Sequence, residues 1–110
     1  MITQACLQWQ LPSLLASAAL VASELVTNAV RHAGTMIDLH VVRGRQHLII
    51  QVIDGSPHRP MMPDPLTVMR SLTSPGFSRG LILVDATADR WGCWPVRDGK
   101  MTWAALRSAP

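Results

Sequence analysis

Charge is scarce in this chain: Asp, Glu, Lys and Arg make up only 15% of its 110 residues. The ten Lys and Arg are scattered rather than clustered, which argues against a nucleic-acid partner even though the formal net charge is +3 and the pI is near 9.7. Long apolar runs are lacking too. No stretch approaches the roughly 18 consecutive apolar residues of a membrane span, so no membrane association is expected. No basic patch precedes an apolar run at the N-terminus, so there is no signal-peptide pattern and the expected location is cytoplasmic. There are two cysteines, Cys6 and Cys93, far apart and without metal-ligand spacing, which reads as two reduced thiols rather than a disulfide or a metal site. What is present is a hydrophobic content of 48% with four Trp, enough for one layered globular domain spanning residues 1–110.

Patterning along the chain alternates between periods. Met1 to Gln10 reads as the last turns of a helix, and Leu11-Pro12-Ser13 offers a break and then a helix start. A long helix is predicted from there to about Ala33, with Gly34 placed to end it in a left-handed cap. Ala18, Ala22, Leu25, Val26, Ala29, Val30 and Ala33 fall within one arc of that helix, and Glu24, Thr27, Asn28, Arg31 and His32 share the opposite one. Met36 to Arg43 alternates Ile37, Leu39 and Val41 against Asp38 and His40. Gly44-Arg45 then turns it into a second strand, His47 to Ile53. Five prolines lie between Gly55 and Phe77 (Pro57, Pro60, Pro63, Pro65 and Pro75), which predicts a long functional loop with one short helix near Leu66 to Leu72. Gly80 to Ala88 reads as a helix, and Trp91 to Val96 with Met101 to Leu106 as a closing hairpin around Arg97-Asp98-Gly99-Lys100. The fold class is α+β: a two-layer sandwich of a mostly antiparallel sheet with helices on one face.

Three clusters carry candidate chemistry. The polar face of the long helix holds one acid, one amide, one hydroxyl, one guanidinium and one imidazole instead of Lys/Glu pairs. That mixture suits a bound anion and its metal, since a carboxylate can orient a nucleophile and an amide oxygen can ligate Mg²⁺ without repelling phosphates. A surface helix of mixed polarity is the plain alternative. In Val52-Ile53-Asp54-Gly55-Ser56-Pro57 an acid ends a strand, where it could accept a hydrogen bond from an exocyclic amine such as that of adenine. An Asp-Gly turn is the plain alternative there. Gly76-Phe77-Ser78-Arg79-Gly80-Leu81 leads a glycine-rich approach into a helix N-terminus, a general way to hold phosphate, and alone it is weak.

In order and spacing these clusters resemble the Bergerat-type ATP-binding domains, and more narrowly the anti-sigma-factor serine kinase branch. S-E-L-V-T-N-A-V-R-H-A-G at Ser23 to Gly34 is similar to that branch's N box. Asp54 falls at its adenine-binding acid, Ser78-Arg79-Gly80-Leu81 at its G-R-G-L, and Leu83 to Gly92 at its next helix. The resemblance implies an ATP- and Mg²⁺-dependent protein serine/threonine kinase that phosphorylates a serine of an antagonist protein and captures a sigma factor. It makes Glu24 the general base or orienter, Asn28 the Mg²⁺ ligand and Asp54 the adenine contact. Arg79, Gly80 and Leu81 would meet the phosphates, and Gly55 to Phe77 would form the lid. Arg31, Ser56 and Thr102 complete the nucleotide-binding candidates, with simple solvation at the helix end the alternative for Arg31. The pattern departs at Ser78, where the family has glycine, and at Met101, where it has Thr. These departures leave two other readings open: a regulator that binds nucleotide and sequesters a protein without phosphorylating it, and a degenerate domain. Against the family the chain also starts late, which implies an exposed apolar surface near Leu7 and Trp9 open to a homodimer or a partner.

Overall fold

In a computed structural model, residues 14–33, 36–56 and 80–107 are described. Helix α1 spans Leu15–Ala33, strand β1 Asp38–Arg43, strand β2 His47–Asp54, helix α2 Gly80–Thr87, strand β3 Arg90–Val96 and strand β4 Gly99–Arg107. The element types match those expected from the sequence, and the bounds of the strands and of α2 coincide or differ by one or two residues. Readings that fall on the N-terminal helical turns, the Gly34 cap, the proline-rich loop after Ser56 with its short helix, and Ser78 and Arg79 lie outside the described residues.

The strands form a four-stranded antiparallel sheet in the order β1-β2-β4-β3. Two local hairpins, β1–β2 and β3–β4, therefore meet through the long-range pairing of β2 with β4. Each hairpin has its own turn chemistry. The Gly44 amide donates to the His47 carbonyl at 2.7 Å, which closes the first. The second turns through Arg97 and Asp98, with Asp98 at a φ of 64°, in the left-handed region that Asp tolerates better than most residues. The outer strands carry protective residues: β1 has Asp38, His40 and Arg43, and β3 has Pro95, which could not serve in a central strand.

Both helices cover one face of the sheet. The shared core is made by Ala18, Val21, Ala22, Leu25 and Ala29 of α1, Val84 of α2, Leu48, Ile50 and Val52 of β2, and Ala104 and Leu106 of β4. Period-two alternation on β2 and β4 places those strand residues on one side, and the register sets Leu48 opposite Leu106 and Ile50 opposite Ala104. The alanines let the helix backbone approach the sheet closely. The phase of α1 differs from the expected one: Val30 is 60% exposed while Val21 is fully buried, so the apolar stripe is rotated away from Val30 and toward Val21. No helix among the described residues is long and apolar enough to cross a membrane.

Candidate functional site

β2 runs under the helices with every second residue buried and ends in Asp54, which continues that buried alternation. An acid at such a position needs partners, because burying an unpaired carboxylate is strongly unfavourable. Asp54 has two. The Ser56 amide donates to Asp54 Oδ1 at 2.9 Å, and Lys100 Nζ donates to the same oxygen at 3.0 Å. The first bond, from a carboxylate to the amide two residues on, is an Asx turn, so the plain role of Asp-Gly as a turn is met. The second is a buried ion pair: the side chains of Lys100 and Asp54 are 8% and 1% exposed. Lys100 Nζ also donates to the Ser56 carbonyl at 3.4 Å, tying the chain after β2 to β4.

The β2–β4 register sets Asp54 directly opposite Lys100 and Val52 opposite Thr102. Lys100 and Thr102 therefore share the helix-facing side with Asp54, and Met101 points to the other face opposite Ile53. Gly99 makes this approach possible. A Cβ there would stand 1.9 Å from the Asp54 carbonyl oxygen, closer than any real contact. Thr102 is 5% exposed and its hydroxyl donates to Cys93 Sγ at 3.8 Å across the β3–β4 pair.

The structure thus brings together Asp54, Ser56 and Thr102 of the sequence-predicted residues and adds Lys100, which sequence reasoning missed. Glu24 and Asn28 lie one turn apart along the same flank of α1, and both are half-buried, whereas Thr27 and Arg31 are exposed. The polar arc read from the sequence is therefore two surfaces: a half-buried pair beside the core, and a solvated remainder that includes Arg31. Gly80 and Leu81 open α2 and are buried. Arg79 lies outside the described residues. A single half-buried amide beside an acid fits Mg²⁺, which commonly takes one or two protein oxygens with phosphate and water completing its shell. No cluster of three or more His, Cys, Asp or Glu suited to a metal occurs among the described residues.

At the far end of β2, His47 Nε2 and Asp89 Oδ2 lie 2.9 Å apart. The hydrogen bond from His47 holds the Asp89 carboxyl below its ordinary value of 3.8, with Arg107 and Arg90 acting in the same direction. Trp91 Nε1 donates to Asp85 Oδ1 at 2.9 Å and fastens β3 to α2.

No family model, curated protein or solved structure matches this chain. The arrangement itself is what bears on function: a buried acid at a strand end held by a lysine on the helix-facing side of the sheet, and a half-buried acid and amide on the flank of α1.

Proposed function

We propose that this chain is a Bergerat-type ATP-binding regulatory domain of the anti-sigma-factor serine kinase kind. It would transfer the ATP γ-phosphate to a serine of an antagonist protein and bind a sigma factor. The observation that carries the reading is Asp54, 4% exposed on the helix-facing side at the end of β2. An adenine amine reaching that position would find a rigid acceptor. Glu24 on the flank of α1 would orient or deprotonate the attacking hydroxyl, and Asn28, one turn later, would hold Mg²⁺. Bound there, the ion supplies charge neutralisation around the phosphates. Gly80 and Leu81 open α2 with amides that suit phosphate.

A second reading, a nucleotide-binding regulator that sequesters its partner without phosphorylating it, is favoured by one observation. Met101 occupies the family's Thr position and faces away from the helices, and the adjacent Thr102 gives its hydroxyl to the Cys93 sulfur.

Titration with ATP and Mg²⁺, followed by single-turnover phosphotransfer, tests both. Asn28→Ala is expected to weaken Mg-ATP binding. Glu24→Ala is expected to spare binding and abolish most turnover. Loss of binding in a folded Glu24→Ala protein would contradict the assigned roles, and binding without any turnover in the unaltered chain would select the second reading.

A further inference from the structure

Lys100 stands where a competing donor would stand. Its ammonium and an adenine amine are both hydrogen-bond donors, and both require an acceptor on Asp54. The Asp54 oxygen Oδ1 already takes the Lys100 ammonium at 3.0 Å and the Ser56 amide at 2.9 Å. The lysine is not a chance visitor. Its side chain is 8% exposed, it is set opposite Asp54 by strand pairing, and it is held a second time by the Ser56 carbonyl at 3.4 Å. A charge-assisted bond in a site shielded from water is stronger than a neutral one. Both bonds fall on Oδ1, so an amine donor enters at Oδ2 or shares Oδ1, in either case beside a fixed ammonium.

The geometry points to Lys100 as the residue that sets base selectivity at this site. This rests on the reading of Asp54 as the base contact and deepens it. With Lys100 in place the site presents a donor beside its acceptor. The 6-keto oxygen of guanine can use the donor, whereas the 6-amine of adenine must take the acceptor next to a like donor. Discrimination between adenine and guanine is consequently narrow in the unaltered chain. Without the ammonium, Asp54 presents an acceptor alone, and the 6-amine of adenine gains over the 6-keto oxygen of guanine.

The test is the ratio of ATP to GTP affinity, measured by calorimetric titration with Mg²⁺ for the unaltered chain, Lys100→Met and Lys100→Arg, with thermal melts confirming the fold of each. Lys100→Met is expected to widen the ratio at least tenfold in favour of ATP, through tighter ATP binding, and Lys100→Arg, which keeps charged donors, to leave it within about threefold of the unaltered value. Should Lys100→Met fail to fold, Lys100→Gln reads the same ratio, because it removes the charge while its amide can still reach Asp54. A several-fold widening is expected there. Equal loss of ATP and GTP affinity would show that the lysine acts only as a general attractor of phosphate and would overturn the inference. An unchanged ratio in a folded Lys100→Met or Lys100→Gln protein would overturn it too. Absence of binding of either nucleotide to any of the four proteins would instead defeat the nucleotide reading of Asp54, and the inference with it.

Discussion

Asp54 and Lys100 are each costly to bury alone and tolerable only together. Asp54→Asn removes the counter-charge and leaves an ammonium that is 8% exposed, and breaking a buried pair from one side typically costs about 3–5 kcal/mol. The double variant Asp54→Asn, Lys100→Met removes both charges and is expected to recover much of that loss in urea unfolding. Single and double costs that simply add would show that the two residues are not coupled. Gly99 and Gly92 make a second contrast. A Cβ at Gly99 meets the Asp54 backbone at 1.9 Å, whereas one at Gly92 meets the rim of the Trp103 ring at 2.9 Å, and a ring can tilt. Gly99→Ala should therefore cost more than the about 1–3 kcal/mol usual for overpacking, and Gly92→Ala less than Gly99→Ala. Equal costs would refute the close approach of β4 to the site. Asp89 supplies a pH dependence. Its pKa is lowered in the folded state, chiefly by the hydrogen bond with His47. Its contribution is thus present above the ordinary value of 3.8 and is lost as the pH falls through the lower folded value. Asp89→Asn should flatten the acid limb of a stability–pH curve and leave the curve near neutrality little changed. An unaltered acid limb would show that the pair is unimportant in solution.

At the level of elements, the period of a pattern was more legible than its phase. The 3.6-residue repeat identified α1 and alternation identified β1, because those periods follow from backbone geometry alone, while β2 was read as a β-rich run and β3 and β4 from the turn between them. Which side of α1 turns inward depends on what it packs against, and there the reading placed Val30 in the apolar arc and left out Val21. The structure reverses that pair, and the difference is measurable. Val21→Ala removes two methyl groups from the core beneath the helix and should cost about 1–3 kcal/mol, while Val30→Ala, on the solvated side, should stay within about 0.5 kcal/mol of zero. Matching costs would mean that α1 is rotated from the described position. The candidate site divides in the same way. Asp54 was readable as a strand-ending acid before Gly55, but Lys100 was passed over as part of a turn. Its partner is 46 residues away in sequence, and no local pattern reveals that β2 and β4 pair. One signal was available. Lys100 shares parity with Thr102, Ala104 and Leu106, so a charge on the buried side of a strand called for an acid opposite it. The half-burial of Glu24 and Asn28 was likewise hidden, since a helical wheel separates polar from apolar without showing where the flanks meet a neighbour.

Taken as a whole, the described part of the molecule has one core, and neither layer keeps it without the other. Val21 and Leu25 of α1, Val84 of α2, and Leu48, Ile50 and Leu106 of the sheet belong to the same buried cluster. The β1–β2 and β3–β4 hairpins join only along β2 and β4, directly beneath the helices. An isolated hairpin is marginal in water, and an isolated helix of 19 residues draws most of its stability from the face it buries. Separation of the layers would expose apolar area on both at once, so helix and sheet should melt together. The chain carries probes for each layer. Far-ultraviolet circular dichroism at 222 nm follows mainly the helices, and Trp91, Trp94 and Trp103 all lie on β3 and β4. With Trp9 changed to Phe, emission reports the sheet alone. The two signals are expected to superimpose in thermal and urea unfolding and to yield one midpoint. Ile50→Ala, at a fully buried position in the centre of the core, should move both midpoints down by the same amount, corresponding to about 2–5 kcal/mol out of a total of about 5–15. Helical signal that persists after the tryptophan transition, or a midpoint shift confined to one probe, would show that α1 and the sheet are separate folding units and that the acid at the end of β2 is not held in fixed relation to the helix above it.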